Sequence, residues 1–151
     1  MGAGSMRRTL VKGKPLGWTS DKWATPPDVV AGLESEFGAF DLDPCCERHT
    51  AKAPTFYVTS GLELPWFGHV FLNPPYSKPG PWLARAVRAA KEEGATVVAL
   101  LPVRTDTKWF HELVWGVAEI RFIRGRIRWI GWAGTPIPSP KNPSMFAIYR
   151  P

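Results

Sequence analysis

Apolar positions along the chain recur at two spacings, and their alternation predicts helices between buried strands. Val30, Leu33 and Phe37 lie at helical spacing behind Thr25, a residue type that caps helices, which predicts a helix over about residues 26–37. The same spacing predicts helices over residues 82–93 and 107–115. Continuous or alternating apolar runs predict strands over residues 39–43, 70–72, 96–101, 120–123, 127–130 and 144–149.

The order of these elements predicts the fold class. Helices that alternate with apolar strands are typical of an α/β domain with a mainly parallel sheet. Residues 96–101 are apolar and rich in β-branched side chains, as in a strand that is covered on both faces. Residues 120–123 and 127–130 alternate apolar residues with arginines, which predicts half-exposed strands and an antiparallel strand pair near the C-terminus.

The length of the chain favours one domain. With 151 residues, a single hydrophobic core is the expected arrangement. Residues 1–5 resemble a remnant of cloning before a natural start at Met6, and basic residues among glycines predict a flexible arm that ends at Asp21. We therefore expect residues 1–21 to be remnant and arm, and residues 22–151 to form the domain.

The charge and the cysteines of the chain indicate what kind of partner it binds and in which compartment it works. The 19 Lys and Arg exceed the 13 Asp and Glu, and the net charge of +6 favours a polyanionic partner. The sequence has no long uncharged apolar run and no leader-like start, so we expect a cytoplasmic protein without a membrane span. Cys45 and Cys46 are neighbours, which fits a reducing compartment. Their spacing with His49 is wrong for a tetrahedral site, so no metal is expected.

The strongest candidate for chemistry is Asn73-Pro74-Pro75-Tyr76, which directly follows the predicted strand 70–72. In an open α/β sheet, ligands bind beyond the carboxyl ends of the strands, where this tetrapeptide would lie. The Asn73 amide oxygen and the carbonyl of Pro74 can accept both hydrogens of an exocyclic amine, which aims its lone pair at an electrophile. Tyr76 would stack on the ring that carries the amine. These four residues are the predicted catalytic group, and a proline-rich turn is the alternative interpretation.

A second candidate lies at the end of the first predicted strand, where Asp41 and Asp43 precede Pro44 and Cys45. A carboxylate at a strand end can accept hydrogen bonds from the ribose or the amino-acid end of a cofactor. The alternative interpretation of Asp43 is a helix cap after the strand.

Basic and aromatic residues form a third set. Alternating arginines usually indicate only a solvated face, but this stripe is long and the chain is basic, which favours contact with phosphates. Ser77 and Lys78 directly follow the tetrapeptide, and Lys78 is placed to meet the phosphate of a target nucleotide. The remaining candidates are Arg104, Lys108, Trp109, Arg121, Arg124, Arg126, Arg128, Trp129 and Trp132.

Asn-Pro-Pro-Tyr resembles the catalytic motif of amino-methyltransferases that act on adenine N6. The chain is similar, more narrowly, to the phage-type Dam DNA N-6-adenine methyltransferases over four ordered segments: residues 23–27, 40–44, 65–77 and 101–109. The resemblance covers nearly everything after the basic arm. N4-cytosine and protein glutamine methyltransferases use relatives of the tetrapeptide, whereas the ordered set of segments is more specific.

The resemblance implies a Rossmann-like methyltransferase fold and transfer of a methyl group from S-adenosylmethionine to N6 of adenine in DNA, after the base is flipped out of the duplex. It implies that Asp43 and Pro44 form the cofactor cradle, although the glycine-rich loop of the broader methyltransferase pattern is missing there. The full set of predicted cofactor contacts is Trp23, Thr25, Pro26, Asp41, Asp43, Pro44, Cys45 and Asn73. The predicted DNA contacts are Ser77, Lys78, Arg104, Lys108, Trp109, Arg126 and Arg128.

The sequence leaves other functions open. The same fold can act on cytosine N4 or a protein glutamine, or on RNA, and a non-catalytic DNA-binding module can keep the fold. The recognised DNA site and the oligomeric state, monomer or dimer, are also open. Candidate recognition loops are residues 77–80 and 131–143.

Overall fold

A computed structural model describes residues 19–131, 134–137 and 142–151 of the chain. Three α-helices, α1 (Pro27–Phe37), α2 (Gly80–Glu93) and α3 (Lys108–Leu113), alternate with strands. Short 3-10 turns lie at Ser20–Lys22 and Arg48–Thr50. The strands are β1 (Leu42–Asp43), β2 (Thr55–Phe56), β3 (His69–Leu72), β4 (Thr96–Pro102), β5 (Glu119–Phe122) and β6 (Ser144–Tyr149).

The strands form one six-stranded sheet in the order β2-β1-β3-β4-β6-β5. Strands β1 to β4 are parallel to one another, with Leu42 beside Val70 and Val70 beside Val97. Strand β6 runs antiparallel to both β4 and β5. This confirms the predicted α/β class, with a mostly parallel sheet and an antiparallel C-terminal pair. Because parallel strands end at the same edge, the last residue of β1 and the residue after β3 lie on one edge.

A core cluster packs on each face of the sheet. Val70 and Leu72 join the cluster under α2, with Leu83 fully buried among them. Phe71, between them, joins the cluster under α1, which contains Leu33. Alternate residues of a strand point to opposite faces, so β3 and β4 are covered on both sides. The rigid central strands hold the residues that follow them in fixed positions.

Helix α1 begins one residue later than the sequence predicts. Pro27 is its first residue and Pro26 is its N-cap, without a side-chain capping bond. Thr25 therefore does not cap this helix. Its hydroxyl oxygen instead accepts a hydrogen bond from Asn73 Nδ2. A tertiary partner has displaced the local capping bond that the sequence favours.

The predicted strand at 127–130 is wrong. Only Ile130 pairs there, in isolated bridges with Ala24 and Pro136, and the antiparallel partner of β5 is β6. Ile127 and Trp129 are buried, as the alternation requires, but their segment packs on the α1 side of the core instead of extending the sheet. Strand β2 was not predicted, because two residues are too few to show a periodicity.

The structure describes only the last residues of the predicted N-terminal arm. The expected arm lies outside the described residues up to residue 18. Thr19 to Lys22 are described and form a 3-10 turn, so Asp21, the last residue of the predicted arm, belongs to the folded part. Within the described residues, no helix combines the length and the apolar character that crossing a membrane requires.

Candidate active site

Asn73 lies at the carboxyl edge of the sheet, directly after β3. Its Nδ2 donates a hydrogen bond to Thr25 Oγ1 at 3.2 Å. Thr25 is 2% exposed, whereas Asn73 is half-buried. Since Nδ2 is bound to Thr25, Oδ1 is the amide atom left to accept a hydrogen bond from a ligand.

Thr25 is itself held by a backbone bridge. Ala24 N–H donates to the Ile130 carbonyl at 2.8 Å, and Ile130 N–H donates to the Ala24 carbonyl at 3.0 Å. Pro26 and Pro27 follow Thr25 and restrict the backbone on its other side. The segment that was predicted as a strand at 127–130 thus supports the residue that orients Asn73.

The same segment supports Tyr76. The Tyr76 ring meets Trp129 edge-on, with ring centroids 5.8 Å apart and an interplanar angle of 86°. The Tyr76 hydroxyl donates to the Leu100 carbonyl at 3.1 Å, and burial raises the pKa of that hydroxyl. The ring is therefore anchored at its polar end and along one edge. Stacking of this ring on a substrate base stays a prediction.

A cavity of about 520 Å³ opens beside Asn73 at this edge of the sheet. Its volume lies in the range of small-molecule sites. Most of the predicted cofactor contacts line it, namely Trp23, Thr25, Asp43, Pro44, Cys45 and Asn73, together with Pro75. Pro26, Asp41, Pro74 and Tyr76 are not among the lining residues. These residues come from three segments that are distant along the chain, and the fold brings them together around one cavity.

Asp41 has a different place from the predicted one. Its Oδ2 accepts a hydrogen bond from His69 N–H at 2.8 Å, at the start of β3. Gly68 has a φ of +64°, and a Cβ there would lie 2.2 Å from Asp41 Oδ2. Only glycine fits this close approach without strain. Asp41 therefore fixes the turn before β3 and is not among the residues that line the cavity.

The cavity wall is acidic, although the protein is basic. The lining includes four acidic residues, Asp21, Asp43, Glu47 and Glu63, against two basic residues, Lys22 and Lys52. Lys22 Nζ lies 3.6 Å from Glu47 Oε1, so one of these lysines is paired within the wall. A cationic small molecule fits this balance of charge, whereas a polyanion would be repelled from it.

Asp43 is the most buried carboxylate of the cavity wall, at 2% exposed. Its oxygens accept hydrogen bonds from the backbone N–H groups of Lys52 (2.9 Å) and Cys45 (3.3 Å). Burial nevertheless dominates and raises the pKa of Asp43 to about 7. Asp43 is not a helix cap, so the alternative interpretation of this residue is wrong.

Two half-buried cysteines, Cys45 and Cys46, follow Asp43 along the chain. Burial raises the pKa of Cys45 and of Cys46 to about 12, and the Cys46 thiol lies 3.8 Å from the Asp43 carbonyl oxygen. Thiols with such pKa values are poor nucleophiles at neutral pH. Among residues 19–131, 134–137 and 142–151, no group of three or more His, Cys, Asp or Glu is placed to hold a metal ion.

Part of the cavity wall was missed by sequence reasoning. Residues 58–63, after β2, line it, as does Trp82 of α2. Ser60 adopts a φ of +61°, and a Cβ on Gly61 would lie 2.0 Å from the Pro44 carbonyl oxygen. The Ser60-Gly61 dipeptide is a turn signal in the sequence, but it carries no indication of what the turn faces.

The missed wall is held from behind by a buried cation. Arg85 of α2 is 4% exposed and bonds Glu93 through both of its terminal nitrogens, at 2.8 and 3.0 Å. It also donates to the Leu64 carbonyl at 3.0 Å and lies 4.9 Å from the ring centroid of Trp66. Trp66 Nε1 in turn donates to the Gly61 carbonyl at 2.7 Å. These contacts fix the loop that forms one side of the cavity.

The predicted DNA contacts fall into two groups. Arg104, Arg126 and Arg128 belong to segments near the tetrapeptide: the Arg104 charge acts on the Tyr76 hydroxyl, and exposed Arg126 and Arg128 flank buried residues beside Tyr76. Lys108 and Trp109 belong to α3, where Lys108 pairs with Glu112 at 3.9 Å and Trp109 is partly buried against the core. The first group is the better placed to surround a base at Asn73.

Ser77, Arg121 and Trp132 complete the basic and aromatic set. Ser77 bonds Asp21, while Lys78 beside it is exposed. Arg121 is engaged with Glu36 (2.5 Å) and Glu119 (2.5 Å), so its charge is already compensated within the protein. Trp132 lies outside the described residues, as do parts of the predicted recognition loop 131–143.

Comparison with known proteins gives consistent matches. A family model described as DNA N-6-adenine-methyltransferase (Dam) matches residues 14–151. The chain is 36% identical over 137 residues to the DNA N-6-adenine-methyltransferase of Haemophilus phage HP1 (strain HP1c1), across 87% of this chain and 79% of that protein. It is 37% identical over 108 residues to the DNA N-6-adenine-methyltransferase of Escherichia phage T1, across 68% of this chain and 44% of that protein.

Proposed function

The chain belongs to the DNA N-6-adenine-methyltransferase (Dam) family, and we propose that the cavity beside Asn73 is where it transfers a methyl group from S-adenosylmethionine to N6 of adenine in DNA. As a member of that family it is an adenine-specific DNA methyltransferase. The fold we assign is Rossmann-like, which the parallel strands β1 to β4 and the single antiparallel strand β6 support.

The observation that carries the proposal is that Asn73 lines a cavity whose wall has more acidic than basic residues. Thr25 binds Nδ2 of the Asn73 amide, and Oδ1 is left as an acceptor. An exocyclic amine has two hydrogens to donate, and an acceptor beside a cation-binding cavity suits transfer of an alkyl group from a cationic donor to that amine. Neither a carboxylate dyad nor a nucleophile would be needed.

The cavity fits S-adenosylmethionine by charge and by shape. The cofactor carries a sulfonium and an ammonium group, and the wall supplies the carboxylates of Asp21, Asp43, Glu47 and Glu63. Trp23 and Trp82 offer aromatic faces for an adenine ring or a cation. When bound, this cofactor supplies a methyl group that is activated for transfer by its positive sulfur.

Catalysis in this proposal is positioning by the protein. Asn73 Oδ1 and the carbonyl of Pro74 accept the two hydrogens of the adenine amine, and Tyr76 stacks on the base. The target base has to leave the duplex for this, since its amine is otherwise paired and inside the stack. Orientation of two reactants can supply most of the rate enhancement, and N6 releases one proton to water once it carries the methyl group, so no strong general base is required.

The DNA side of the site is formed by basic residues around the tetrapeptide. We assign phosphate contacts to Lys78, Arg104, Arg126 and Arg128, which follow or flank the segments that hold Asn73 and Tyr76. The net charge of +6 favours a polyanion and argues against a protein substrate. Ser77, Lys108 and Trp109 are secondary candidates. With DNA as substrate, we expect the enzyme to act in the cytoplasm of a host cell.

The test is product analysis. The purified protein is incubated with unmethylated duplex DNA and isotopically labelled S-adenosylmethionine, and the nucleosides are resolved by mass spectrometry. We expect labelled N6-methyladenine, and only a residual trace of it from the Asn73→Ala variant, which should still bind the cofactor. If the product were N4-methylcytosine, the assignment of a methyltransferase fold would stand, but the target base would be cytosine instead of adenine. Label in RNA or protein only, or cofactor and DNA binding without any transfer, would overturn the proposal.

A further inference from the structure

We propose that Thr25 is a positioning residue for the transfer reaction, which holds the Asn73 amide so that Oδ1 faces the substrate amine. This inference rests on the proposed function. It assigns Thr25 a role through Asn73 instead of the direct cofactor contact that the family resemblance implies. The observation behind it is the hydrogen bond from Asn73 Nδ2 to Thr25 Oγ1.

The direction of the amide decides whether the site can accept an amine. One side of an asparagine amide is a double donor and the other is an acceptor. Rotation by half a turn would present the NH₂ group to the amine, so that donors would face donors. The Thr25 oxygen binds the NH₂ side and fixes the plane of the amide. The substrate then meets an acceptor that is already oriented.

Thr25 is built to hold this position. It is 2% exposed, so water competes little for its hydroxyl. The reciprocal hydrogen bonds between Ala24 and Ile130 fix the backbone before it, and Pro26 and Pro27 restrict the backbone after it. A β-branched threonine also has few side-chain rotamers. The hydroxyl is thereby preorganised before any ligand binds.

The position of Thr25 costs the chain a local interaction. Thr25 is the residue type that caps helices and directly precedes the N-cap Pro26, yet α1 begins without a side-chain capping bond. The hydroxyl is instead directed to Asn73, 48 residues away along the chain.

The test compares three variants with the wild type in steady-state methylation of duplex DNA, with S-adenosylmethionine affinity measured separately by calorimetry. Thr25→Val keeps the shape and removes the hydroxyl, and we expect kcat to fall by about 10- to 100-fold, the loss typical of one buried oriented hydrogen bond. Cofactor affinity and KM for DNA should change little. Thr25→Ser should restore most of kcat. Thr96→Val is the matched control and should behave as the wild type. Thr96 begins β4, at the edge of the sheet opposite to the one where Asn73 lies.

A double-mutant comparison separates action through Asn73 from a general effect. If Thr25 works by orienting the amide, Thr25→Val should lower residual activity no further in an Asn73→Ala background. Equal losses in both backgrounds, or weaker cofactor binding in proportion to the loss of rate, would overturn the inference. If Thr25→Val does not fold, a folded Thr25→Ser variant that has lost most of kcat would overturn it instead. If the wild-type protein transfers no methyl group to DNA, the proposed function is wrong. That result is distinct from a failure of the inference about Thr25, which is seen only when the variants are compared with an active wild type.

Discussion

Asp21 holds Ser77 through two hydrogen bonds: Ser77 N–H donates to Oδ1 at 3.2 Å and Ser77 Oγ donates to Oδ2 at 2.5 Å. Asp21 belongs to the cavity wall, and Ser77 directly follows the tetrapeptide Asn73-Pro74-Pro75-Tyr76. The carboxylate thus occupies the two donors that would otherwise be available to a DNA phosphate. This contact thus joins the cavity wall to the residue after the tetrapeptide, which are the cofactor side and the DNA side of the site in the proposed function.

Replacement of Asp21 should change DNA affinity and S-adenosylmethionine affinity in opposite directions. In Asp21→Asn a negative charge leaves both the cavity wall and the loop that would face DNA. We expect DNA affinity to rise by about two- to fivefold at low salt and the gain to disappear at high salt, as for an exposed charge. S-adenosylmethionine affinity should fall by a similar factor. Fluorescence anisotropy with labelled DNA and calorimetry with the cofactor measure the two effects.

Glu92→Gln is the control for that change of charge. Glu92 is exposed near the end of α2 and does not line the cavity. A gain in DNA affinity as large as that of Asp21→Asn would mean that only net charge matters. In that case the contact between Asp21 and Ser77 would have no specific role.

Tyr76 provides a test of ring against hydroxyl. Tyr76→Phe loses only the hydrogen bond to the Leu100 carbonyl. We therefore expect the free energy of unfolding to fall by about 1 kcal/mol, while kcat/KM stays within a few-fold of the wild-type value. Tyr76→Ala removes the ring, and kcat/KM should fall by about 5- to 150-fold if the ring stacks on the base. Thermal unfolding and initial rates measure both. Equal kinetic losses in the two variants would show that the hydroxyl, and not the ring, matters.

The stability of the protein should depend on pH through Asp43. Its pKa is 3.8 as a free side chain and about 7 when folded, because burial disfavours the charged form. The folded state therefore binds more protons than the unfolded state between those two pH values, so the free energy of unfolding falls as pH rises from 3.8 to about 7. Above that interval the contribution of Asp43 is constant. Urea unfolding across this range, followed by tryptophan fluorescence, measures the slope.

Asp43→Asn is the matched variant, since it keeps the shape of the side chain and cannot ionise. The fall in unfolding free energy over the same pH interval should be smaller in this variant than in the wild type. Identical slopes in the two proteins would show that Asp43 does not titrate in this range.

Arg128 should contribute to DNA binding as a phosphate contact. It is exposed beside Trp129, which packs against Tyr76. Arg128→Ala should weaken binding to all DNA sequences alike and reduce the slope of log K against log salt by about 0.9, the value for one phosphate contact. Arg88→Ala, which removes the same charge from an exposed position on α2, is the control. Equal changes in slope for both variants would assign the effect to net charge alone.

Comparison of sequence and structure shows which features are local. Strand β6 was predicted with its observed bounds, Ser144–Tyr149, and the other main helices and strands to within about two residues, because apolar periodicity is written in neighbouring residues. The two-residue strand β2 was missed and β1 was predicted too long, since a strand of that length is defined by its pairing partner. The segment 127–130 has the alternation of a strand but lacks a strand to pair with beyond the bridges at Ile130.

The sequence by itself determined the α/β class, the place of Asn73 at the end of a buried strand, and the segments that meet at the cavity. Hydrophobic spacing and the tetrapeptide suffice for these. Only the tertiary structure decided that Thr25 binds Asn73 instead of capping α1, that Asp41 binds the turn at His69, and that residues 58–63 complete an acidic wall. The physical reason is that burial follows from a residue's own polarity, whereas the partner of a polar group depends on which distant groups the fold brings within hydrogen-bonding distance.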